Sequence, residues 1–212
     1  MRGRLITIEG LDGAGKSTLA GTLADELRRW GPRVSVLREP GGVPAGERVR
    51  ELISDPHLNL DHRAEALLFA ASRAQLVAEG VVPLLEAGTW VLLDRFVDSS
   101  LAYQGAGRGL GVEELRAVNR FATGGLEPDR TLLLRIDPAG GRARLQRRGD
   151  VPDRMERESE RFFATIASAY DALAAHEPAR IRVIEARAAP EQVLSAALSA
   201  LSDLLQGFRA GS

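Results

Sequence analysis

The sequence predicts a three-layer α/β fold, in which a five-stranded parallel sheet carries helices on both faces. Short β-rich runs alternate with longer helical stretches along all 212 residues, which is typical of strand–helix–strand units. Two of the runs, 90–93 and 131–134, are apolar almost throughout, as expected of strands covered on both faces. With 44% hydrophobic and 27% charged residues, we expect a single globular domain over residues 1–212.

The predicted elements follow one another in the order strand, helix, strand. The first strand covers residues 4–9 and ends at Gly10. Leucine or alanine at positions 19, 20, 23, 24 and 27 forms a stripe that predicts a helix over 16–30. The other strands are predicted at 33–38, 90–93, 131–134 and 181–184. The other helices are predicted at 63–86, with a kink near Gly80 and Pro83, and at 112–122, 139–148, 154–175 and 190–206.

The composition excludes several classes of protein. The absence of cysteine excludes disulfides, thiol catalysis and cysteine-bound zinc, and three scattered histidines are too few for a convincing metal site. A net charge of −1 disfavours a dedicated nucleic-acid-binding protein. No apolar run reaches about 18 residues, so we expect no membrane-spanning helix. The chain enters a strand almost at once, without the pattern of a signal peptide, and we expect a cytoplasmic protein.

A glycine-rich segment between the first strand and the first helix predicts a phosphate-binding loop. Residues 10–17, GLDGAGKS, fit the pattern G-x-x-x-x-G-K-[ST], which indicates a P-loop NTPase fold. Its glycines let backbone N–H groups turn toward phosphate oxygens, and the next helix adds its positive N-terminal end. We expect Lys16 to reach the β- and γ-phosphates and Ser17 to help hold Mg²⁺. The predicted ATP-binding residues are Gly10, Leu11, Asp12, Gly13, Ala14, Gly15, Lys16, Ser17 and Thr18.

Lysine occurs once in the chain, against 27 arginines. Lys16 lies in the predicted loop, where a compact ammonium fits and a planar guanidinium does not. Guanine-nucleotide switches need a further lysine in an N-K-x-D segment, so that class is excluded. The L-S-G-G signature of transport ATPases is also absent.

The third predicted strand ends in Asp94-Arg95, without the adjacent glutamate that positions an attacking water in many motor ATPases. This pair favours a kinase, and it lies at the carboxyl end of a strand, where open α/β sheets bind ligands. We expect Asp94 to order Mg²⁺, partly through water, and Arg95 to clamp an acceptor phosphate. A surface ion pair at the strand end is the alternative.

A cluster of arginines surrounds a Gly–Asp–Val–Pro segment at residues 149–152. One interpretation is a solvated basic helix face. The other is a mobile lid over about 142–156, whose arginines close over the triphosphate. The cluster consists of Arg142, Arg144, Arg147, Arg148, Arg154 and Arg157.

The chain resembles bacterial thymidylate kinases from end to end. The resemblance rests on EGLDGAGKST (9–18), REPGG (38–42), FAASRAQ (69–75), DRF (94–96), DSSLAYQG (98–105) and the Asp-Arg pair within 149–156, in the family's order. It implies transfer of the γ-phosphoryl group of ATP to dTMP, giving dTDP and ADP for dTTP synthesis, with Mg²⁺. It also implies a homodimer that uses helices between about 45 and 120.

The resemblance implies roles for individual residues. Phe69 would stack on thymine, Arg73 would donate to a base carbonyl, and Tyr103 would exclude a ribose 2′-hydroxyl. Asp12 would accept from the 3′-hydroxyl, and Glu39-Pro40 would form a cis turn beside the acceptor. The implied dTMP-binding residues are Asp12, Glu39, Pro40, Arg50, Phe69, Arg73, Arg95, Ser100, Tyr103 and Gln104.

The chain departs from the family pattern in two ways. Val43 replaces a frequent threonine, and Gly13-Ala14 leave the loop without the arginine that one branch carries there. The resemblance then implies that arginines of the lid supply the positive charge that the loop lacks, first Arg144 and Arg148. With Asp12, Lys16 and Arg95 these form the expected catalytic set. Three alternatives stay open: a kinase for another nucleotide or a nucleoside, a non-catalytic ATP-dependent binding module, and, disfavoured by charge, a nucleic-acid-binding protein.

Overall fold

The structure, a computed structural model, describes residues 2–149 and 153–209, without the side chains of residues 148, 208 and 209. Its sheet is parallel and has five strands in the order β2-β3-β1-β4-β5. The strands are β1 (Leu5–Gly10), β2 (Val34–Arg38), β3 (Trp90–Asp94), β4 (Arg130–Arg135) and β5 (Ile181–Glu185). Each predicted strand is confirmed to within one or two residues, and so is the predicted fold class.

The helices surround this sheet. They are α1 (Lys16–Arg29), α2 (Pro44–Ser54), α3 (His62–Leu76), α4 (Val82–Glu86), α5 (Val97–Ser100), α6 (Val112–Thr123), α7 (Pro138–Arg148), α8 (Glu160–His176), α9 (Pro190–Ala200) and α10 (Ser202–Arg209). Two π-helical segments extend them, Val77–Val81 between α3 and α4 and Leu101–Gly107 after α5. The last segment is called the π segment below.

Several predicted helix boundaries need correction. The kink expected near Gly80 is a π-helical stretch inside one continuous helix, since α3 passes through it into α4. α8 begins at Glu160 rather than at 154, because Ser159 caps it by accepting from the N–H of Phe162. The helix predicted over 190–206 is two helices, which divide at Leu201. α2, α5 and the π segment have no counterpart among the predicted elements.

Both faces of the sheet are buried. Side chains alternate along β1, so that Ile6 and Ile8 belong to one apolar cluster and Leu5 to another. The larger cluster includes α1 and α8, and the smaller one includes the end of α3 and α4. β1 therefore lies at the centre of the molecule, and the loop that follows it starts from a rigid strand.

The continuous helix from His62 to Glu86 has the length and composition of a membrane span, with 25 residues and a mean hydropathy of 1.3 in its most apolar window. The sequence predicts no membrane-spanning helix, because charged residues interrupt every long apolar stretch, and they also interrupt this helix. One such helix is weak evidence, because core helices of globular proteins have the same properties. Arg73 in its middle is buried and hydrogen-bonded to the protein.

Candidate active site

The phosphate loop connects β1 to α1, as predicted. Gly10, Gly13 and Gly15 have φ angles of 136°, 78° and 97°, which residues with a Cβ rarely adopt. α1 begins at Lys16 with no side-chain cap, so its first N–H groups can face an anion. A Cβ on Gly13 would collide with the carbonyl oxygen of Gly141 in α7. This close approach is a physical reason for glycine, rather than arginine, at that position.

The Lys16 ammonium folds back over the loop. Its Nζ donates to the carbonyl oxygens of Gly10 (3.2 Å) and Leu11 (3.0 Å) and lies 3.9 Å from Asp12 Oδ1. Burial and the nearby charge of Arg95 lower the pKa of Lys16 to about 8, although Asp12 acts in the opposite direction. A phosphate arriving here would meet a cation with little competing water.

Ser17 and Asp94 meet at the mouth of the loop. β1 and β3 pair with Ile8 beside Asp94, which brings the carboxyl ends of both strands to one edge of the sheet. Ser17 Oγ donates to Asp94 Oδ2 at 2.7 Å. A hydroxyl and a carboxylate are oxygen ligands of the kind that Mg²⁺ prefers, with water and phosphate completing its shell. The two side chains therefore fit the predicted Mg²⁺ site.

Arg95 joins the loop to the π segment. Its φ angle of 70° is left-handed, which is uncommon for a residue with a side chain. Nη1 donates to Gly10 O (3.2 Å) and Ser99 Oγ (3.0 Å). Nη2 donates to Asp12 Oδ1 (2.6 Å) and to the Tyr103 hydroxyl (3.2 Å), and the guanidinium lies 4.9 Å from the centre of the Tyr103 ring. These contacts fix the position of the guanidinium.

Asp12 is ionised in this arrangement. Burial alone would raise its pKa, but the charges of Arg95 and Lys16 hold the pKa of Asp12 at about 2. Its Oδ2 also accepts from the Tyr103 hydroxyl at 3.2 Å. Because a carboxylate only accepts hydrogen bonds, Asp12 can receive one more from a hydroxyl group of a ligand.

Glu9 supports the Arg95 turn and was not predicted as a site residue. It is fully buried in β1, and its Oε1 accepts from the backbone N–H groups of Phe96 (2.8 Å) and Ser99 (3.2 Å). Its Oε2 accepts from the hydroxyls of Ser99 (2.5 Å) and Tyr170 (2.9 Å). Burial raises the pKa of Glu9. A carboxylate inside an apolar strand is a detectable signal, but only the fold shows its partners.

A cavity of about 600 Å³ opens over the phosphate loop. Asp94, Arg95 and Arg144 are among the residues that line it. Of the predicted ATP-binding residues, it is lined by Asp12, Gly13, Ala14, Gly15, Lys16, Ser17 and Thr18. Gly10 and Leu11 instead line a smaller cavity behind the loop, and their carbonyl oxygens face Lys16.

A second cavity adjoins the first and contains all ten residues of the predicted dTMP site. Phe69 and Arg73 reach it from successive turns of α3, and the Glu39–Pro40 peptide bond is cis, as predicted. Five further residues line this cavity that are not among the predicted dTMP-binding residues: Ile53, Ser54, Ser99, Asp153 and Met155. The two cavities share Asp12, Glu39, Arg50, Arg95 and Asp153.

Arg73 is buried and its N–H groups already have protein partners. Nε donates to Glu39 Oε2 (2.7 Å), Nη1 to Ser100 Oγ (2.9 Å) and Nη2 to Phe96 O (2.9 Å), and Nη1 also contacts Asn119. Glu39 Oε1 is buried without a hydrogen-bond partner among the described residues. Burial raises the pKa of Glu39 to about 7, against the opposing charge of Arg73.

The arginine cluster divides into different environments. Arg144 on α7 donates to Ala14 O (3.4 Å) and Ala186 O (2.7 Å), so it reaches the phosphate loop. Arg154 lies on the acceptor side, paired with Glu65 at 2.7 Å, whereas Arg147 is exposed. The side chain of Arg148, and residues 150–152 of the predicted lid, lie outside the described residues.

The central strand of the parallel sheet leads into a phosphate loop, and the cavity over this loop shares Arg95 with a second cavity. This arrangement defines the class of P-loop phosphotransferases. The sequence profile of the family described as Thymidylate kinase matches residues 8–197. The chain therefore belongs to the thymidylate kinase family.

Individual relatives agree with this assignment. The chain is 46% identical to a thymidylate kinase of Pelotomaculum thermopropionicum, over 100% of this chain and 99% of that protein. It is 49% identical to one of Deinococcus radiodurans, over 92% and 94% of the two chains. A crystal structure of thymidylate kinase from Ehrlichia chaffeensis superposes with a TM-score of 0.77 at 28% identity, covering 95% of this chain and 99% of that one.

Proposed function

We propose that this protein transfers the γ-phosphoryl group of ATP to dTMP, giving dTDP and ADP. The observation that carries the proposal is the junction of the two cavities at Asp12 and Arg95. A nucleoside triphosphate over the loop and a monophosphate in the second cavity would bring their phosphates together there. Such positioning supplies much of the rate enhancement in phosphoryl transfer.

The donor half would hold ATP through the loop. Backbone N–H groups of residues 13–18 would surround the β-phosphate, and Lys16 would reach the β- and γ-phosphates. Ser17 and Asp94 would hold Mg²⁺, partly through water. The ion, when bound, neutralises charge on the β- and γ-phosphate oxygens.

The acceptor half would hold dTMP between α3 and the π segment. Phe69 would stack on the base, with Arg73, Ser100 and Gln104 at its edge. Asp12, which is ionised, would accept from the 3′-hydroxyl, and the Tyr103 ring would fill the space of a 2′-hydroxyl. Arg95 and Arg50 would bind the acceptor phosphate, with Glu39 and Pro40 forming the adjacent wall.

The chemical step needs no general base, because a phosphate monoester is largely dianionic at neutral pH and is already a nucleophile. The protein's task is to hold two polyanions in line and offset their repulsion. Lys16 and Arg95 both lie near Oδ1 of Asp12, at 3.9 and 2.6 Å, and Arg144 reaches the loop from α7. We assign the stabilisation of negative charge in the transition state to Arg144, together with Arg148, in a lid over about 142–156.

The proposed assembly is a cytoplasmic homodimer whose ligands are ATP and dTMP, rather than nucleic acid or a membrane. Large apolar side chains are exposed on the helices that the family resemblance implicates, namely Leu52 on α2, Leu67 on α3 and Phe121 on α6. Phe121 is 92% exposed, so a second copy of the chain that covered these helices would remove its ring from water.

The test is an ADP-release assay with ATP, Mg²⁺ and a panel of thymidine, uridine, cytidine and guanosine monophosphates. We expect the thymidine nucleotide to be preferred and Lys16→Ala to be nearly inactive with every acceptor. A preference for another monophosphate would refute the substrate assignment. Nucleotide binding without phosphoryl transfer to any acceptor would instead favour the binding-module alternative.

A further inference from the structure

Glu65 is a fully buried carboxylate one turn before Phe69 on α3, and it contacts Gln104, which lines the acceptor cavity. Its Oε1 accepts from Gln104 Nε2 (3.0 Å) and Arg108 Nε (3.2 Å). Its Oε2 accepts from Arg108 Nη2 (3.1 Å) and Arg154 Nη2 (2.7 Å). None of the roles described above uses this residue.

Two guanidinium groups keep Glu65 ionised. Burial alone would raise its pKa, but hydrogen bonds from Arg108 and Gln104 lower the pKa of Glu65 below its usual value. An ionised carboxylate has no proton to donate. Of the two orientations open to the Gln104 amide, only the one with its NH₂ group toward Glu65 makes a hydrogen bond. The carbonyl oxygen of Gln104 is then directed away from Glu65.

The partners of Glu65 are themselves held in place. Arg108 lies 4.6 Å from the centre of the Phe162 ring and pairs with Glu158 at 2.5 Å. Arg154 Nε donates to the carbonyl oxygen of Ile53 at 2.9 Å. The carboxylate thus has fixed donors on both oxygens, and its orientation cannot change without breaking several charge-assisted hydrogen bonds.

We propose that Glu65 is a positioning residue for base selection, because it holds the Gln104 amide with its carbonyl oxygen toward the acceptor cavity. This inference rests on the proposed function. A carbonyl oxygen accepts a hydrogen bond from a base that carries N3–H, as thymine does. It opposes the lone pair on the unprotonated N3 of cytosine, and a site built in this way rejects the mismatched base.

Replacement of Glu65 by glutamine inverts this arrangement. The single remaining oxygen stays at the position of Oε2, where two guanidinium groups donate to it. The new NH₂ group then occupies the position of Oε1, where it faces Arg108 Nε–H and the NH₂ group of Gln104. A guanidinium group has no acceptor to offer, so only the clash with Gln104 is relieved, when its amide turns over. This directs the NH₂ group of Gln104 toward the base and favours cytosine over thymine.

The experiment compares kcat/KM for dTMP and dCMP in competition, with ATP saturating. For Glu65→Gln we expect the dTMP:dCMP ratio to fall about tenfold or more, the size of one mismatched buried hydrogen bond, with the KM for ATP unchanged. Glu26→Gln is the matched control, since Glu26 pairs with Arg29 on the surface of α1 at 2.7 Å. That variant should keep the wild-type ratio.

The mechanism through Gln104 has its own test. In a Gln104→Leu background the Glu65→Gln substitution should change the ratio no further, because the amide that it acts on is gone. If the effects of the two substitutions on the dTMP:dCMP ratio were additive, Glu65 would act by another route and the proposal would be overturned. A wild-type ratio in the single Glu65→Gln variant would also overturn it.

Glu65→Asp completes the set in case the glutamine variant fails to fold around two buried guanidinium groups. It keeps the charge but withdraws the carboxylate from Gln104, so we expect a ratio between those of wild type and Gln104→Leu. An unchanged ratio in Glu65→Asp would overturn the proposal. If the wild-type protein shows no transfer to dTMP at all, the proposed function fails and not the role of Glu65.

Discussion

The contact between α7 and the phosphate loop leads to a prediction that can be worked out from distances. Gly141 lies within α7, and a Cβ placed on it would be 2.7 Å from the backbone carbonyl oxygen of Asp12. Ordinary contacts of this kind begin near 3.4 Å, so Gly141→Ala must move α7 away from the loop by about 0.7 Å. Arg144, one turn further along α7, would move with it.

Two effects on stability oppose each other in this variant. Alanine is better than glycine inside a helix by about 1 kcal/mol, whereas overpacking costs about 1–3 kcal/mol. The net change in the free energy of unfolding is then a loss of about 0–2 kcal/mol. Gly21→Ala in α1 is the control, because no atom lies within 4 Å of the added Cβ. We expect it to raise Tm by about 2–4 °C.

The larger effect should be on turnover. A displacement of about 1 Å at a catalytic group costs about 100-fold, so we expect kcat to fall roughly 10- to 100-fold in Gly141→Ala, with Gly21→Ala unchanged. The measurements are ADP release at saturating ATP and dTMP, and thermal denaturation. If Gly141→Ala matched Gly21→Ala in both kcat and Tm, the loop would not depend on this contact and the reasoning would be wrong.

Four further predictions follow from the site. Lys16→Ala should be nearly inactive yet still bind dTMP, because the acceptor cavity does not contain Lys16; calorimetric titration with dTMP checks this. Arg144→Ala should lower kcat about 10³- to 10⁵-fold, by analogy with arginine fingers, and full turnover would refute its assignment. Tyr103→Phe should change dTMP turnover less than about tenfold, because the Arg95–Asp12 pair at 2.6 Å persists; a large rise in ribonucleotide use would show that the hydroxyl, and not the ring, excludes the 2′-OH. Burial raises the pKa of Glu39 to about 7 in the native state, from 4.5 in the unfolded chain, so the native state binds one proton more between these pH values and the free energy of unfolding falls as pH rises from about 4.5 to 7. Denaturant titrations across that range should show a smaller fall in the Glu39→Gln variant.

The strands were predictable because burial on both faces leaves a strong signal. The run from Trp90 to Leu93 has no polar interruption, and a length of four or five residues between turns favours a strand over a helix. The first helix was equally clear, since its leucines and alanines repeat on one face.

The missed helices lack that signal. The apolar stripe of α2 is short, consisting of Val49, Leu52 and Ile53, and only Ile53 of these is buried. In α5 and the π segment the buried positions include Ser99, Ser100 and Gln104, which a pattern based on hydrophobicity reads as surface. These polar residues are buried because they line the acceptor cavity, so the requirements of the site conceal the helix.

The site residues were predictable where a sequence motif always adopts the same backbone geometry. The loop pattern and Asp94-Arg95 specify their positions through the ends of adjacent strands. Arg154 shows the limit: its sequence position suggests the lid, but its side chain pairs with Glu65, some 90 residues away along the chain. Long-range pairing of charged side chains leaves no periodicity in one sequence.

The π segment also restricts the length of the chain. A π-helical turn holds about one residue more than an α-helical turn, so the wide turn takes in an extra residue while the positions after it keep nearly the rotation of a regular helix. Deletion of one residue between Leu101 and Gly107 would therefore close the segment to α-helical geometry and leave Arg108 facing Glu65. The loss would fall within the segment, because Tyr103 or Gln104 would leave the place where it lines the acceptor cavity.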